Sequence, residues 1–475
     1  MGKIIKKIDE FDNIHYIETD NELGRGGQGV VYKTKNADTV IKIALDNELP
    51  IKDPTQIKSF HKKIKKLIFK PLPIDINIAR PVTVLKDEAG YVMQLLNGME
   101  PFSRLLPQEL KKEEAANMEI PVFLEELSKR DKRAALYFTH YNKSGGLRKR
   151  LYTLSRLAIV LNRLHTRGLV YFDISHNNVF INKDDIPLVY LIDADNIEYE
   201  SINKQTVYTP NFEVPELMQN SPNSTYSDIY AFGILSFLTL TTKHPFDGEG
   251  LEEEDWDTEA AIKKEKWELP WIEDSNDDSN KSKAGLRGHL TITKELNILF
   301  HKLFEGGKFD KYQRPTLPLW IELLEKAACK TIKCSSCNMS YYNDVFDKCP
   351  YCESEKPKRL IVKSYYYIDG KKQEERWEYV REILEGTKII EVPNYLFKSF
   401  DILKVDDVFL EIKFSRQTRI ELSFNKTGDE KIFFESETSK PIFNKKSIRD
   451  EELKKGISIV TFSDIKTLVE IKIEL

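Results

Sequence analysis

Two carboxylates and one amide have residue types and a spacing that suit phosphate chemistry. Asp173 and Asn178 lie in YFDISHNNVFIN (171–182), and Asp193 follows in LVYLIDADN. Oxygen ligands of these kinds hold divalent cations, and a carboxylate can orient or deprotonate a hydroxyl nucleophile. Asp and Asn are also frequent in helix caps and turns. These residues alone therefore leave the choice between a site and a turn open.

A glycine-rich segment near the start of the chain offers a place for nucleotide phosphates. ELGRGGQGVVYKT contains Gly24-x-Gly26-x-x-Gly29-x-Val31, and the following TVIKIA contains Lys42. Glycine N–H groups can approach a triphosphate because no side chain intervenes, and a lysine on the next strand can reach the phosphates. The pattern alone also suits a simple turn. The β-forming residues after Gly29 disfavour a dinucleotide-binding fold, in which a helix would follow.

The segments before the two aspartates predict the elements that position them. LYTLSRLAIVLNRLHTRGLV (151–170) has apolar residues at helical spacing and Gly168 as a stop. It therefore predicts a buried helix that leads into a short strand before Asp173. LVYLID is typical of a buried strand that ends at Asp193.

The order of the motifs along the chain carries a family resemblance. The glycine-rich loop, the strand lysine, the D-x4-N motif and the strand-end Asp are followed by YTPNFEVPE, YSDIYAFG and QRPT. This set resembles a eukaryotic-like (Hanks-type) Ser/Thr protein kinase. The resemblance implies an α+β bilobal kinase-like domain over residues 1–328, with an N-lobe over 1–96 and a C-lobe over 97–328.

The resemblance also implies roles for the motif residues. Asp173 would accept the proton of the attacking hydroxyl or orient it, and Asn178 and Asp193 would hold Mg²⁺ or Mn²⁺. Lys42 would fix the α and β phosphates of ATP. The remaining residues expected at the ATP site are Gly24, Gly26, Gly29 and Val31.

Four further residues would support this site under the same resemblance. Thr209 would lie near the catalytic acid, which favours Ser or Thr hydroxyls as substrate. Glu216 would pair with Arg314 in a structural contact, and Asp228 would brace the catalytic-loop backbone from the start of a helix. The expected activity is ATP- and Mg-dependent transfer of the γ-phosphate to Ser or Thr of a protein partner.

A finer similarity concerns VYFDISHNNVFI and LIDADNIEY. These segments are similar to a bacterial branch of such kinases that is associated with von Willebrand A-type proteins and metal-dependent phosphatases in stress systems. The similarity implies that the protein substrate is a partner of one of these kinds.

Four of the five cysteines form two close pairs that predict a metal site. CSSC supplies Cys334 and Cys337, and CPYC supplies Cys349 and Cys352. Two such knuckles suit one structural Zn²⁺ with four thiolate ligands, in a small zinc ribbon over residues 331–356. A redox dithiol and disulfides are the alternatives. Cys329 is expected to be an ordinary packed thiol.

Residues 359–475 predict an all-β C-terminal domain, a sandwich or a barrel. VFLEIKF (408–414), RIELSF (419–424) and LVEIKIEL (468–475) alternate apolar and polar residues with the period of half-buried strands. An adaptor and an autoinhibitory cover are both compatible with this region. The acidic stretch 247–283 predicts a surface excursion.

Several positions depart from the kinase pattern. Phe172 replaces an arginine, so a phosphorylated activation segment would lack its usual partner. Ser175 replaces a lysine near the γ-phosphate, and Ala194-Asp195 replaces Phe-Gly and adds an acid near the metal. The alternative function is therefore a pseudokinase or nucleotide-binding scaffold that regulates or recruits partners through the zinc ribbon and the β domain.

The usual acidic partner of the strand lysine is also missing. The predicted helix PTQIKSFHKKIKKLIFK (54–70) contains no acid. Glu48 before the helix and Gln56 within it are both candidates to contact Lys42. The lysines of this helix alternate with apolar residues, which indicates a solvated helix face rather than a nucleic-acid surface.

Composition narrows the class of protein. The chain has 475 residues, a net charge of −4 and 40% hydrophobic residues, so no excess positive charge indicates nucleic acid or an anionic membrane. The apolar run ILSFLTLTT is too short for a bilayer span, and the first residues lack the apolar stretch of a signal peptide. Closely paired cysteines suit a reducing compartment. We expect a cytoplasmic protein with no nucleic-acid or membrane partner.

Overall fold

The structure is a computed structural model that describes most of the chain. The described residues are 3–26, 29–36, 38–72, 76–202, 208–248, 268–282, 285–286, 288–405, 408–414, 419–424, 432–434, 445–449, 454–461 and 467–475. Much of the predicted acidic excursion, residues 249–267 and 283, lies outside this set. The chain divides into two compact units, Met1–Ser103 with Val160–Leu235 and Arg104–Ile159 with Ser236–Leu475.

The helices and strands are numbered in chain order. The described helices are α1 (Pro54–Ile68), α2 (Lys112–Ala116), α3 (Glu125–Arg130), α4 (Lys132–Lys143), α5 (Gly146–His165), α6 (Thr225–Thr241), α7 (Gly288–Thr291), α8 (Lys294–Phe304), α9 (Gly306–Phe309) and α10 (Leu317–Cys329). The strands of the first unit are β1 (Ile4–Ile8), β2 (Ile14–Gly26), β3 (Gly29–Thr34), β4 (Thr39–Asp46), β5 (Leu49–Pro50), β6 (Pro81–Val84), β7 (Gly90–Gln94), β8 (Glu100–Pro101), β9 (Leu169–Val170), β10 (Val179–Ile181), β11 (Val189–Leu191) and β12 (Glu198–Tyr199). Those of the second unit are β13 (Thr331–Lys333), β14 (Ser340–Tyr342), β15 (Arg359–Ile368), β16 (Lys371–Glu382), β17 (Ile389–Pro393), β18 (Val408–Phe414), β19 (Arg419–Phe424), β20 (Ile432–Phe434), β21 (Lys445–Arg449), β22 (Ile457–Thr461) and β23 (Thr467–Glu474).

The first unit begins with an antiparallel seven-stranded sheet. Its order is β1-β2-β3-β4-β7-β6, with β5 beside β4. Alternation of side chains along the strands places one set of apolar residues in a core cluster. That cluster comprises Ile17, Val30, Ile41, Ile43, Leu45, Leu85 and Val92.

Helix α1 begins at a capped end and buries one face. The Asp53 side chain accepts a hydrogen bond from the backbone N–H of Gln56 at 2.8 Å, and Pro54 occupies the first helical position. Both features favour a helix start. Ile64 and Leu67 are buried, while the lysines between them are exposed.

Short strands position the segments around the two predicted acids. Strands β10 and β11, which lie between the two acids in the sequence, form a small sheet in the order β11-β10-β8, and β12 pairs with β9. Strand β9 ends three residues before Asp173, and β11 ends two residues before Asp193. Both acids therefore follow strand ends, as the sequence predicts.

The second unit contains the cysteine pairs and the C-terminal sheets. Strands β13 and β14 form a hairpin, and the later strands form a five-stranded sheet, β16-β15-β23-β22-β20, and a four-stranded sheet, β17-β18-β19-β21. The prediction of a sheet-rich C-terminal region is confirmed, and the sandwich or barrel architecture stays a prediction. Among the described helices, none combines the length and the apolar character needed to cross a bilayer.

Candidate active site

The glycine-rich segment forms the hairpin of β2 and β3, next to the strand that carries Lys42. Gly26 pairs with Gly29 across the hairpin, and Val31 pairs with Lys42 of β4. A Cβ at Gly29 would lie 2.9 Å from a backbone oxygen of β4 and 3.1 Å from Lys42 Cε, so close packing requires glycine here. Cβ atoms at Gly24 and Gly26 would meet no described heavy atom within 4 Å. Those two glycines leave open space along the hairpin.

The Lys42 ammonium lies beside two carboxylates. Nζ donates to Asp193 Oδ1 at 2.7 Å and lies 3.8 Å from Asp195 Oδ1. The Lys42 side chain is only 8% exposed. Burial by itself lowers the pKa of Lys42, but Tyr91, Asp195 and Asp193 together raise this pKa above its usual value. Lys42 is therefore a fixed cation at neutral pH.

Asp173 accepts three hydrogen bonds. Thr209 Oγ1 donates to Oδ1 at 2.5 Å, and Asn178 Nδ2 and Asn196 Nδ2 donate to Oδ2 at 2.8 and 3.3 Å. Burial raises the pKa of Asp173, and the hydrogen bonds from Thr209 and Asn178 act in the opposite direction. Because Asn178 Nδ2 points to Asp173, the Asn178 Oδ1 is the atom left to accept from, or to ligate, another group.

The backbone before Asp173 is held by Asp228, which lies in the first turn of α6. Asp228 Oδ2 accepts from the Tyr171 N–H at 2.8 Å and Oδ1 from the Phe172 N–H at 3.0 Å. Phe172 has a φ of +73°, a left-handed conformation that costs free energy in a residue with a side chain. His165 Nε2 lies 2.9 Å from Asp228 Oδ2. These contacts fix the direction in which the chain enters Asp173.

Comparison of the sequence with known families decides the family. The protein kinase domain matches residues 91–331, which is more than half of the 475 residues. The chain belongs to the protein kinase family. The matched range contains Asp173, Asn178 and Asp193, whereas the glycine-rich hairpin and Lys42 of this kinase precede it.

Curated protein kinases resemble parts of this kinase. The serine/threonine-protein kinase pkn2 of Myxococcus xanthus is 31% identical over 104 residues, 20% of this chain and 12% of that protein. Death-associated protein kinase 2 of Mus musculus is 28% identical over 102 residues, 20% of this chain and 26% of that protein. Serine/threonine-protein kinase PLK1 of Xenopus tropicalis is 27% identical over 121 residues, 25% of this chain and 20% of that protein. The chain thus spans between 12% and 26% of the length of these relatives.

The two remaining predicted support residues of the kinase have partners of their own. Glu216 Oε1 accepts a hydrogen bond from the Ser227 hydroxyl at 3.2 Å. Arg314 Nε donates to the backbone oxygen of Gly307 at 2.8 Å. The pairing of Glu216 with Arg314 stays a prediction.

Three residues around the site of this kinase are not among those predicted from the sequence. The Tyr171 hydroxyl donates to the backbone oxygen of Ile192, the residue before Asp193. Asn196 bonds to Asp173, and Lys70 Nζ donates to the Ile197 oxygen at 2.7 Å. Tyr171 could be singled out from the sequence, because its hydroxyl-bearing ring lies two residues before Asp173. The other two depend on folding of the chain after Asp193.

The partner of Lys42 also differs from both alternatives considered from the sequence. Among the described residues, the carboxylates within ion-pair distance of Lys42 Nζ are Asp193 and Asp195, not Glu48. Gln56 uses its backbone N–H to bond Asp53 at the start of α1. The acids that contact Lys42 come from a segment 151 residues farther along the chain.

The four paired cysteines of the second unit converge on one point. Their Sγ atoms all lie within 4.8 Å of one another, with Cys334–Cys352 and Cys337–Cys349 at 3.6 Å. Four thiolates about 2.3 Å from one tetrahedral zinc lie roughly 3.8 Å apart, so this geometry fits such an ion. All four cysteines and Cys329 are free of disulfides, and Cys329 is buried.

Proposed function

We propose that this kinase transfers the γ-phosphate of ATP to a Ser or Thr hydroxyl of a protein partner. The observation that carries the proposal is the arrangement of three groups in the first unit. Asp173 is bonded to Asn178 and Thr209, Asp193 is bonded to Lys42, and the open glycine hairpin adjoins Lys42. The names of the Myxococcus and Xenopus relatives, both serine/threonine-protein kinases, support the same reaction.

The residues on this site have the chemistry to hold Mg²⁺ and ATP. Bound ATP with Mg²⁺ would supply an electrophilic phosphorus, the γ-phosphorus, and ADP as a good leaving group. Asn178 Oδ1 and the Asp193 carboxylate are hard oxygen ligands of the kind that Mg²⁺ prefers. Lys42 would bind the α and β phosphates, and the space beside Gly24 and Gly26 lets backbone N–H groups approach the phosphate chain.

Asp173 would orient the substrate hydroxyl and take its proton. Burial raises the pKa of Asp173, which makes the carboxylate a better proton acceptor than an exposed aspartate. Thr209 Oγ1 donates to Oδ1 at 2.5 Å, so this oxygen is oriented to accept a hydrogen bond from a hydroxyl. The Thr209 side chain would then flank the incoming Ser or Thr hydroxyl.

Transfer of labelled phosphate tests the proposal. Purified full-length protein with γ-labelled ATP, Mg²⁺ or Mn²⁺ and a generic protein substrate should incorporate label, and Asp173→Asn should reduce the rate by about 100-fold or more. Thr209→Ser, which keeps the hydroxyl, is the matched control and should retain most of the activity. Label incorporation that persists in Asp173→Asn would contradict the assignment.

A pseudokinase is the competing outcome, motivated by Phe172, Ser175 and Ala194 in place of the usual family residues. Binding of a fluorescent ADP analogue separates the two cases. Nucleotide binding without label transfer by the wild type would establish the pseudokinase. Loss of binding in Lys42→Met would locate the nucleotide at the same place in either case.

We further propose that Cys334, Cys337, Cys349 and Cys352 hold one structural Zn²⁺. With every ligand a protein thiolate, such an ion has no open position for catalysis and stabilises the fold instead. Metal analysis of protein purified without chelator should find about one zinc per chain, and none in Cys349→Ser. Cys329→Ala is the control and should retain the zinc.

The similarity to the bacterial branch supports a von Willebrand A-type protein or a phosphatase as the partner. A purified von Willebrand A-type domain and a metal-dependent phosphatase from the same genome can be offered together with an unrelated protein of equal Ser and Thr content. Preferential labelling of either one supports the proposal, and equal labelling of all three contradicts it.

A further inference from the structure

Asp195 lies between two lysines from different elements. Its Oδ1 is 3.8 Å from Lys42 Nζ on β4, and its Oδ2 is 3.6 Å from Lys63 Nζ on α1. The Asp195 side chain is 10% exposed, and Oδ1 accepts no hydrogen bond from the described residues. The turn that carries it, Ala194–Asn196, contacts α1. One carboxylate thus links the strand lysine to the helix.

Helix α1 carries positive charge, whereas Lys42 on the neighbouring strand needs a negatively charged partner. Its sequence, PTQIKSFHKKIKKLI, contains five lysines and no acid. An acid for Lys42 must therefore come from elsewhere. Asp193 is closer to Lys42 than Asp195 is, at 2.7 Å, but Asp193 is also the carboxylate proposed to bind Mg²⁺. Once Asp193 is shared with a cation, Asp195 is, among the described residues, the carboxylate left within 4 Å of the Lys42 ammonium.

We infer that Asp195 is a positioning residue that holds Lys42 for the phosphates and couples it to α1 through Lys63. The helix thus supplies a cation, Lys63, instead of an acid. The anion between this cation and Lys42 is Asp195, which comes from the segment after Asp193. This inference rests on the proposed function, because the position of Lys42 matters for binding nucleotide phosphates. The Asp195 carboxylate attracts both ammonium groups, and the burial of Lys42 and Asp195 strengthens the attraction between these two residues.

Direct binding of a second metal ion by Asp195 is the competing role. The two oxygens of Asp195 face ammonium groups, and a carboxylate with two cationic neighbours gains less from a further cation. The two roles differ in their dependence on Mg²⁺ and on Lys63. A metal ligand would work without Lys63, and its loss would be offset by more Mg²⁺.

The test compares full-length wild type with Asp195→Asn, Lys63→Ala, Lys63→Glu and the double variant Asp195→Asn/Lys63→Ala. Lys62→Ala, an exposed lysine of the same helix, is the control. We expect Asp195→Asn to lower kcat/KM at least about fivefold at every Mg²⁺ concentration. Lys63 is 59% exposed, so Lys63→Ala should cost only about twofold to fivefold. Lys63→Glu should cost more than Lys63→Ala, because it places a second anion against Asp195.

The decisive result is non-additivity. If Lys63 acts through Asp195, the double variant should be no worse than Asp195→Asn alone. The inference would be overturned if Asp195→Asn kept the wild-type kcat/KM or recovered it fully at high Mg²⁺. It would also be overturned if the losses in the double variant were additive, or if Lys63→Ala and Lys62→Ala behaved equally. Because Lys63 is exposed, its variants carry the test even if an Asp195 variant does not fold.

The same variants separate this inference from the proposed function. If the wild type transfers no phosphate, the readout that replaces kcat/KM is the affinity of the protein for a fluorescent ADP analogue in the presence of Mg²⁺. Weaker binding in Asp195→Asn, with no further loss in the double variant, would then support the positioning role although the kinase activity had failed. Unchanged affinity in Asp195→Asn, or a wild type that binds no nucleotide, would overturn it.

Discussion

Tyr171 shows how a single side chain can join two segments of the candidate active site. The phenol is fully buried, and burial raises its pKa, so the hydroxyl keeps its proton and donates to the Ile192 oxygen. Ile192 directly precedes Asp193. This hydrogen bond is therefore one of those that tie the segment proposed to bind metal to the segment that contains Asp173.

Tyr171→Phe should separate this hydrogen bond from the packing of the ring. The substitution leaves the half-buried Ile192 oxygen without this donor, so we expect the free energy of unfolding to fall by about 1 kcal/mol. Phosphate transfer should fall mainly through kcat, because Asp193 would lose its support. Denaturant titration and steady-state kinetics measure the two effects. The control is Tyr208→Phe, an exposed tyrosine, and equal behaviour of the two variants would contradict the role given to Tyr171.

The chemistry of the individual residues could be read from the sequence, but their partners could not. Lys42, Asp173, Asn178 and Asp193 were predicted from residue type, spacing and order, and the structure brings Lys42 to Asp193 and Asn178 to Asp173. The sequence near Lys42 offers Glu48 and Gln56 as candidate partners. An acid 151 residues away becomes a neighbour only through the tertiary fold, and no local pattern reports that.

At the scale of elements, helix α4 carries a histidine that folding keeps neutral. Burial, and then the nearby Arg150 guanidinium, lower the pKa of His140 from 6.5 to about 4. Nδ1 of His140 is buried and accepts or donates no hydrogen bond within the described part of the chain. The unfolded chain thus binds a proton at a higher pH than the folded chain does.

Acid should therefore destabilise α4 through His140. Above pH 6.5 both states are neutral and no free energy is lost, and as the pH falls from 6.5 towards 4 only the unfolded state gains the proton. We expect this residue alone to reduce the free energy of unfolding by about 2 kcal/mol between pH 7.5 and 5. Denaturant titrations of wild type and His140→Gln at the two pH values measure it. A pH dependence that His140→Gln shares with wild type would refute the prediction, and the exposed His289→Gln provides the comparison.

Local periodicity predicted several elements well and their pairing not at all. The alternation in VFLEIKF and LVEIKIEL coincides with β18 and β23, in which Leu410, Ile412 and Ile471 are buried. The sequence does not reveal that β23 pairs with β15, about one hundred residues earlier. Pairing over that distance depends on the whole core, since each apolar strand face fits several neighbours equally well.

At the scale of the second unit, a buried arginine joins a helix, the cysteine segment and the C-terminal sheet. Arg148 of α5 donates to Glu382 of β16 at 2.8 and 2.6 Å and to Thr331 Oγ1 of β13 at 2.9 Å. The two charged side chains are 5% and 9% exposed. Burial raises the pKa of Glu382, but Arg148 outweighs this effect and lowers the pKa to about 2. The Glu382 carboxylate is therefore ionised at neutral pH.

Removal of one charge of this pair should be costly. Glu382→Gln leaves the Arg148 guanidinium buried beside a neutral amide, and we expect the free energy of unfolding to fall by roughly 3 kcal/mol. Thermal or denaturant unfolding of protein purified without chelator measures this loss. Glu385→Gln, an exposed neighbour, should have little effect. If both variants lost the same free energy of unfolding, the Arg148–Glu382 ion pair would not be the source of the stabilisation.

The contact between Arg148 and Glu382 also limits which C-terminal regions could be joined to this chain by recombination. An exchange of the region after residue 330 for that of another protein would remove Thr331 and Glu382 and leave the buried Arg148 guanidinium without its carboxylate partner. A successful recombinant would need a neutral, shorter residue at position 148 in the same step. We therefore expect position 148 and positions 331 and 382 to change together during evolution.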